Sequence, residues 1–119
     1  VDILHLTDAI KRHPDFSKVG MVLCHNGVVR STSRDGRAVK GLRVAVDHLI
    51  LDSVLTEQKK RPGIVDIRVE IAEDRDLAVG DDVMLLVVAG DIRENVIAVL
   101  TDTLNLIKSS VTQKIEYFV

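Results

Sequence analysis

The run DVMLLVVAG, residues 82–90, constrains the fold more than any other stretch of this 119-residue sequence. It is unbroken in apolar β-formers and shows no alternation, which predicts a central strand buried on both faces. Such a strand needs hydrogen-bonded neighbours on each side and apolar cover above and below. The rest of the chain offers both. VGMVLCHNGVVR reads as a strand with Gly20 and Gly27 marking a bend or close backbone approach. Residues 39–46 place Val39, Leu42, Val44 and Val46 in a strand pattern. IVDIRVEIA alternates at Val65, Ile67, Val69 and Ile71, and TQKIEYFV closes the chain as a last strand.

Two segments carry helical spacing. HLILDSVLTEQKK sets Leu49, Ile50 and Val54, with Leu51 and Leu55, on one side and is stopped by Arg61-Pro62-Gly63. DIRENVIAVLTDTLNLIKSS is the strongest helix, with a stripe of Val96, Ile97, Leu100, Leu104 and Ile107. Asp91 is its expected cap, and Glu94, three residues on, completes a capping box. The opening VDILHLTDAIKRHPDF reads as a short β-like start, then a weak helix capped by Thr7 or Asp8 and ended by Pro14. Residues 31–38 are loop, and Gly80 suits a turn. The order is β-loop-β-α-β-β-α-β: an α+β fold with two main helices on a mostly antiparallel sheet.

The length predicts a single domain over 1–119. Aromatics are 3% and tryptophan is absent, so Val, Leu and Ile must build the core. A net charge of −2 argues against nucleic-acid binding, which calls for a basic excess. The single cysteine, Cys24, cannot form an intramolecular disulfide; it fits a cytoplasmic protein and, in an apolar strand, reads as a buried small hydrophobe. No secretory leader is seen, and no apolar stretch approaches the ~18 residues of a membrane span. The four histidines lack metal-ligand spacing, and no phosphate-binding loop, dinucleotide fingerprint or nucleophile elbow is present. No metal and no organic cofactor is called for.

Four cations remain as candidates for chemistry. Arg30 directly follows a strand, with Arg34, Arg37 and Lys40 close behind. Pattern alone favours a solvated turn for this group, although clustered cations also focus a local positive field that suits a phosphate. Arg93 falls in the first turn of a helix, where the dipole disfavours a cation and favours an anion beside it. Pairing with Glu94 explains it equally well. Lys108 complements the dipole at the helix's other end, yet it borders the apolar stripe, where partial burial would make its amine available as a nucleophile. Lys114 follows in the last strand. Arg93 and Lys108 are fifteen residues apart, roughly 22 Å along a helix, so one small substrate meets both only if two copies share a site.

In order and spacing, GVVR, GRAVKGL, DLAVGDDVMLLVVAG and IRENVIAVLTDTLNLIK resemble the large, catalytic subunit of molybdopterin synthase, over about residues 18–116. The resemblance implies an α/β-hammerhead-like domain that forms a homodimer and docks a small ubiquitin-like sulfur carrier with a C-terminal Gly-Gly. The carrier's thiocarboxylate sulfur would pass to cyclic pyranopterin monophosphate, a pterin phosphate, to form the molybdopterin dithiolene. By position, Arg30 and Arg93 would bind the substrate's anionic groups, and Lys108 would act at the thiocarboxylate. Lys114 would be the second active-site lysine after a one-residue shift, since a gapless alignment puts Ile115 there. The chain departs from the family at Ile92, where a histidine is usual, at Ala72-Glu73, and in SSVTQ, where aromatics are usual. Two alternatives therefore stand beside the enzyme: a non-catalytic dimeric paralogue, and a regulatory domain binding an anionic metabolite.

Overall fold

A computed structural model describes residues 2–119. The apolar run forms β5 (Asp82–Gly90), the middle of an antiparallel three-stranded sheet between β1 (Met21–Val28) and β3 (Ile64–Ile71). Its side chains alternate between two covers. Leu85, Val87 and Ala89 pack on Leu6 and Ile10 of α1 (Ile3–Lys11). Met84, Leu86 and Val88 face Leu51 of α2 (His48–Lys59) and Val96 and Val99 of α3 (Arg93–Leu106). Residues 84–89 are all buried, as a strand with both faces covered requires.

The α+β class holds, and among the described residues the weak N-terminal helix forms beside the two main ones. The layout differs from the expectation in one respect: the strands divide between two antiparallel sheets rather than one. In the second sheet, β2 (Val39–Val46) lies between the short β4 (Leu77–Ala78) and β6 (Thr112–Phe118). Its buried face, Leu42 and Val44, packs with Val29, Ala72 and Leu77. Ile71 and Val46 contact this cluster and the first sheet's core alike, and so join the two. Gly41 is needed here because a side chain on it would strike the Leu77 carbonyl across the β2–β4 pair.

The helix starts correct the capping assignments. α1 begins earlier than expected, and among the described residues no strand precedes it: the Asp2 side chain accepts from Leu4 N at 2.9 Å. Thr7 instead donates its hydroxyl back to Ile3 O and Leu4 O, and Asp8 lies inside the helix. At α3 the N-cap position is Ile92, with no side-chain cap, and the Asp91–Glu94 capping box does not form. Asp91 stands one residue too early: its carboxylate accepts from Ile92 N and Asn95 Nδ2, while Glu94 pairs with Arg93 at 3.2 Å. Arg61-Pro62-Gly63 ends α2 as expected, with Gly63 at φ +79°.

Which apolar side chains point inward was only partly read. In α2 Leu51 is buried, whereas Leu49 is 83% exposed. In α3 the buried line is Val96, Val99 and Thr103, leading to Ile107 beyond the helix; Ile97 is exposed. Cys24 is exposed, not buried, because β1 is an edge strand whose alternate residues face solvent.

Candidate active site

Where the end of β1, β2, β6 and the segment after α3 meet, the structure opens a cleft of about 780 Å³. Its wall is apolar, with Leu42, Val44, Ile71 and Met84, and cations stand along it: Arg30, Arg34, Lys108 and Lys114. Three of the four residues singled out in the sequence thus converge on one space, although Arg30 and Lys108 are far apart in the chain.

Each is placed by a local cause. Val29 is buried and exchanges backbone hydrogen bonds with the Gly80–Asp81 turn, which fixes Arg30 at the strand's exit. Beyond it the 31–38 loop is pinned by an isolated bridge between Thr32 and Ala38 and by Ser33 N donating to Arg37 O at 2.9 Å. The Ser33 hydroxyl donates to Asp35, and that bond, with further support from the Arg37 backbone, holds the Asp35 carboxyl below its ordinary range. Arg37 turns away and stacks its guanidinium 3.5 Å from the centre of the Phe118 ring. Arg37 and Lys40 are outside the cleft, as surface charges would be. Arg34, expected to be one of them, lines it instead.

Lys108 does not end a regular helix. α3 gives way at Ile107 to a wide π-type turn, Ile107–Val111, before β6 begins. Ile107 and Val111 anchor the turn in the core, and Ser110 Oγ donates to Leu106 O at 2.6 Å. Such turns re-aim side chains at functional sites; this one presents Lys108 to the cleft. Lys108 is solvent-exposed rather than partly buried at the edge of a stripe.

Lys114 sits opposite Val44 in the β2–β6 register, and the period of two puts Thr112, Lys114 and Glu116 on the cleft side. Ile115 points the other way and is 60% exposed. Glu116 was missed in the sequence; its carboxylate lies 3.8 Å from Lys114 Nζ and supplies the cleft's one lining carboxylate. The signal was available in the i, i+2 spacing of Lys114 and Glu116 within a strand. Arg93 lies elsewhere: it is exposed at the start of α3, bonded to Glu94, and no part of the cleft.

Among the described residues no cluster of His, Cys, Asp or Glu has the makings of a metal site. Lysine and arginine donors around an apolar pocket suit a substrate with a flat or apolar body and several anionic oxygens. The fold and cleft therefore define an α+β domain with a cation-lined cleft and an amine at its mouth. More specifically, the chain belongs to the MoaE protein family, the large-subunit family of molybdopterin synthase in molybdenum-cofactor biosynthesis, whose model it matches over residues 2–110.

Solved structures agree on the fold. Molybdopterin cofactor biosynthesis protein E from Burkholderia multivorans superposes with a TM-score of 0.77 at 20% identity, covering 100% of this chain and 86% of that one. Molybdopterin synthase from Staphylococcus aureus gives 0.73 at 20% identity, with 86% and 77% covered. The complex of subunits 1 and 2 of molybdopterin-converting factor from Helicobacter pylori gives 0.74 at 18% identity, with 99% and 80% covered. No curated protein sequence matches the chain significantly. No helix among the described residues is long and apolar enough to cross a membrane.

Proposed function

We propose that this chain is the catalytic subunit that moves sulfur from the C-terminal thiocarboxylate of a small ubiquitin-like carrier ending in Gly-Gly to cyclic pyranopterin monophosphate, in the cytoplasm. The observation that carries the reading is the convergence of Arg30, Lys108 and Lys114 on one cleft. Arg30, with Arg34 beside it, holds the phosphate through guanidinium hydrogen bonds, while the apolar wall accepts the ring system. Lys108 acts at the thiocarboxylate carbonyl, where its ammonium stabilises the oxyanion that develops during acyl transfer. Lys114, 3.8 Å from Glu116, sits on β6, the strand that follows the Lys108 turn, as the second amine. That members of this fold work with a partner is supported by the Helicobacter pylori complex of two different subunits.

Arg93 completes the site from a second copy of the chain. It is exposed and outside the cleft of its own copy, so a homodimer is the arrangement that brings it to substrate. The test is reconstitution: purified chain, a thiocarboxylated carrier and the pterin substrate are incubated and the dithiolene product is measured. Product formation supports the reading, and Lys108→Ala should abolish it while leaving the circular dichroism spectrum unchanged. Folded chain that binds carrier and pterin yet gives no product would retire the enzyme in favour of a binding module.

A further inference from the structure

The ring of His25 is a titratable group within the electrostatic reach of Lys108 that the reaction as drawn leaves unused. His25 lies on the inward face of β1, opposite Leu86 in the β1–β5 register. Leu86 shares its core cluster with Ile107, the residue directly before Lys108. Gly27, two residues along on the same face, lies beside the imidazole: a side-chain carbon there would be in van der Waals contact with His25 Nε2, at 3.4 Å. That nitrogen is buried and has no hydrogen-bond partner. Buried polar atoms are rarely left so, and one that is needs an explanation. Lys108 is the charged group that acts on this ring; together with the larger effect of burial it holds the histidine below its ordinary pKa, so the ring is neutral near pH 7.

A neutral imidazole with the hydrogen on Nδ1 carries a free lone pair on Nε2. Lys108 has three ammonium donors and, among the described residues, no hydrogen bond or ion pair of its own. The two groups are complementary: one lacks a donor, the other an acceptor, and a flexible four-carbon stem separates them. We propose that His25 is a positioning residue for Lys108, its Nε2 accepting a hydrogen bond from the ammonium and fixing that side chain at the mouth of the cleft when substrate is bound. The bond forms without any net transfer of charge, and protonation of the ring would abolish it and repel the lysine. This rests on the sulfur-transfer reading for its catalytic consequence, but the pairing itself does not.

The experiment has two arms. In the first, His25→Leu removes the lone pair, and His25→Gln restores an acceptor near the position of Nε2. Loss of a hydrogen bond to a charged group predicts about a 10-fold fall in kcat for the leucine variant. KM for the pterin should be unchanged, and the glutamine variant should recover most of the rate. The wild-type rate should fall on the acid side, below the ordinary histidine pKa, and that limb should vanish in the glutamine variant. A leucine variant with wild-type kcat and an unaltered acid limb would overturn the proposal. The second arm needs no activity: the His25 ring is titrated by NMR in the wild type and in Lys108→Gln. Its pKa should rise when the lysine charge is removed. An unmoved titration overturns the proposal even if the protein transfers no sulfur, whereas a shift without any product in reconstitution would fault the enzyme reading and leave the pair standing.

Discussion

Thr103 is fully buried in α3, and its Oγ1 has no hydrogen-bond partner. It occupies the inward line of the helix between Val99 and Ile107, both of which are core residues. Replacing it with valine keeps the branched shape, removes the stranded hydroxyl and puts a methyl group against the core. The two residues have nearly equal helix propensity, so the backbone contributes little to the difference. An unsatisfied buried hydroxyl destabilises by about 1–3 kcal/mol, and even the lower part of that range should reappear as stability. We therefore expect Thr103→Val to stabilise the fold by about 1–2 kcal/mol, or about 4–8 °C in Tm for a domain of this size. Thr103→Ser keeps the hydroxyl and loses the methyl, and should destabilise by about 1 kcal/mol. Urea unfolding followed by circular dichroism measures both, with the midpoint moving and the slope constant. Because Thr103 is absent from the cleft, the valine variant should keep the wild-type rate. A valine variant no more stable than wild type would show that the hydroxyl is satisfied, and the argument would fail.

Other consequences are as direct. Arg30→Ala should raise KM for the pterin by about 10–100-fold, the loss expected for hydrogen bonds to a charged group, and inorganic phosphate should inhibit the variant less than the wild type. Arg93→Ala and Lys108→Ala should each be inactive alone, but mixed and reassociated copies should recover activity, since one composite site of each mixed dimer is intact; no recovery would place both residues in one copy's site or neither. Gly41→Val should prevent the β2–β4 pairing and leave little soluble protein, as its side chain would meet the Leu77 carbonyl. The His48 pKa is raised, first by its 2.7 Å hydrogen bond to Glu73 and then by that carboxylate's charge. A raised folded-state pKa stabilises below the unfolded value near 6.5 and is lost as pH rises through the folded one, so the Tm gap between wild type and His48→Gln should be larger at pH 5.5 than at pH 9.

Much of the fold could be read in the sequence because its strands have strong periodicity or none at all. The unbroken run at 82–90 marked the centre of one sheet, and the period of two in 64–71 marked one of its neighbours. Two features were not legible, for physical reasons. The division into two sheets depends on which strands pair, and pairing is a long-range property that local alternation does not encode. The π-type turn at Ile107–Val111 has the same apolar spacing as a helix that simply continues, so Lys108 was put on a helix it leaves. For the candidate cleft, residue type and order singled out Arg30, Lys108 and Lys114, whereas the places of Arg34 and Glu116 along it depend on how the strands and loop lie beside one another.

The distribution of ion pairs separates cations held by carboxylates from those left unpaired in the cleft. Arg61 is held by Asp102 at 2.9 Å, Arg43 by Asp76, and Arg68 and Lys59 by the buried Asp66, all outside the cleft. These acids account for part of the net charge of −2 and are spent on neighbours away from the cleft. Within it, Arg30, Arg34 and Lys108 have no carboxylate partner among the described residues, and Glu116 reaches only Lys114, at 3.8 Å. The local balance is thus positive although the protein as a whole is acidic. Cations left uncompensated around an apolar wall repel one another in the empty state, and a polyanion entering the cleft relieves that repulsion while gaining the wall's apolar contact. With an acidic surface outside and an uncompensated basic cleft within, the field of the protein favours an anion in the cleft over one elsewhere on the surface.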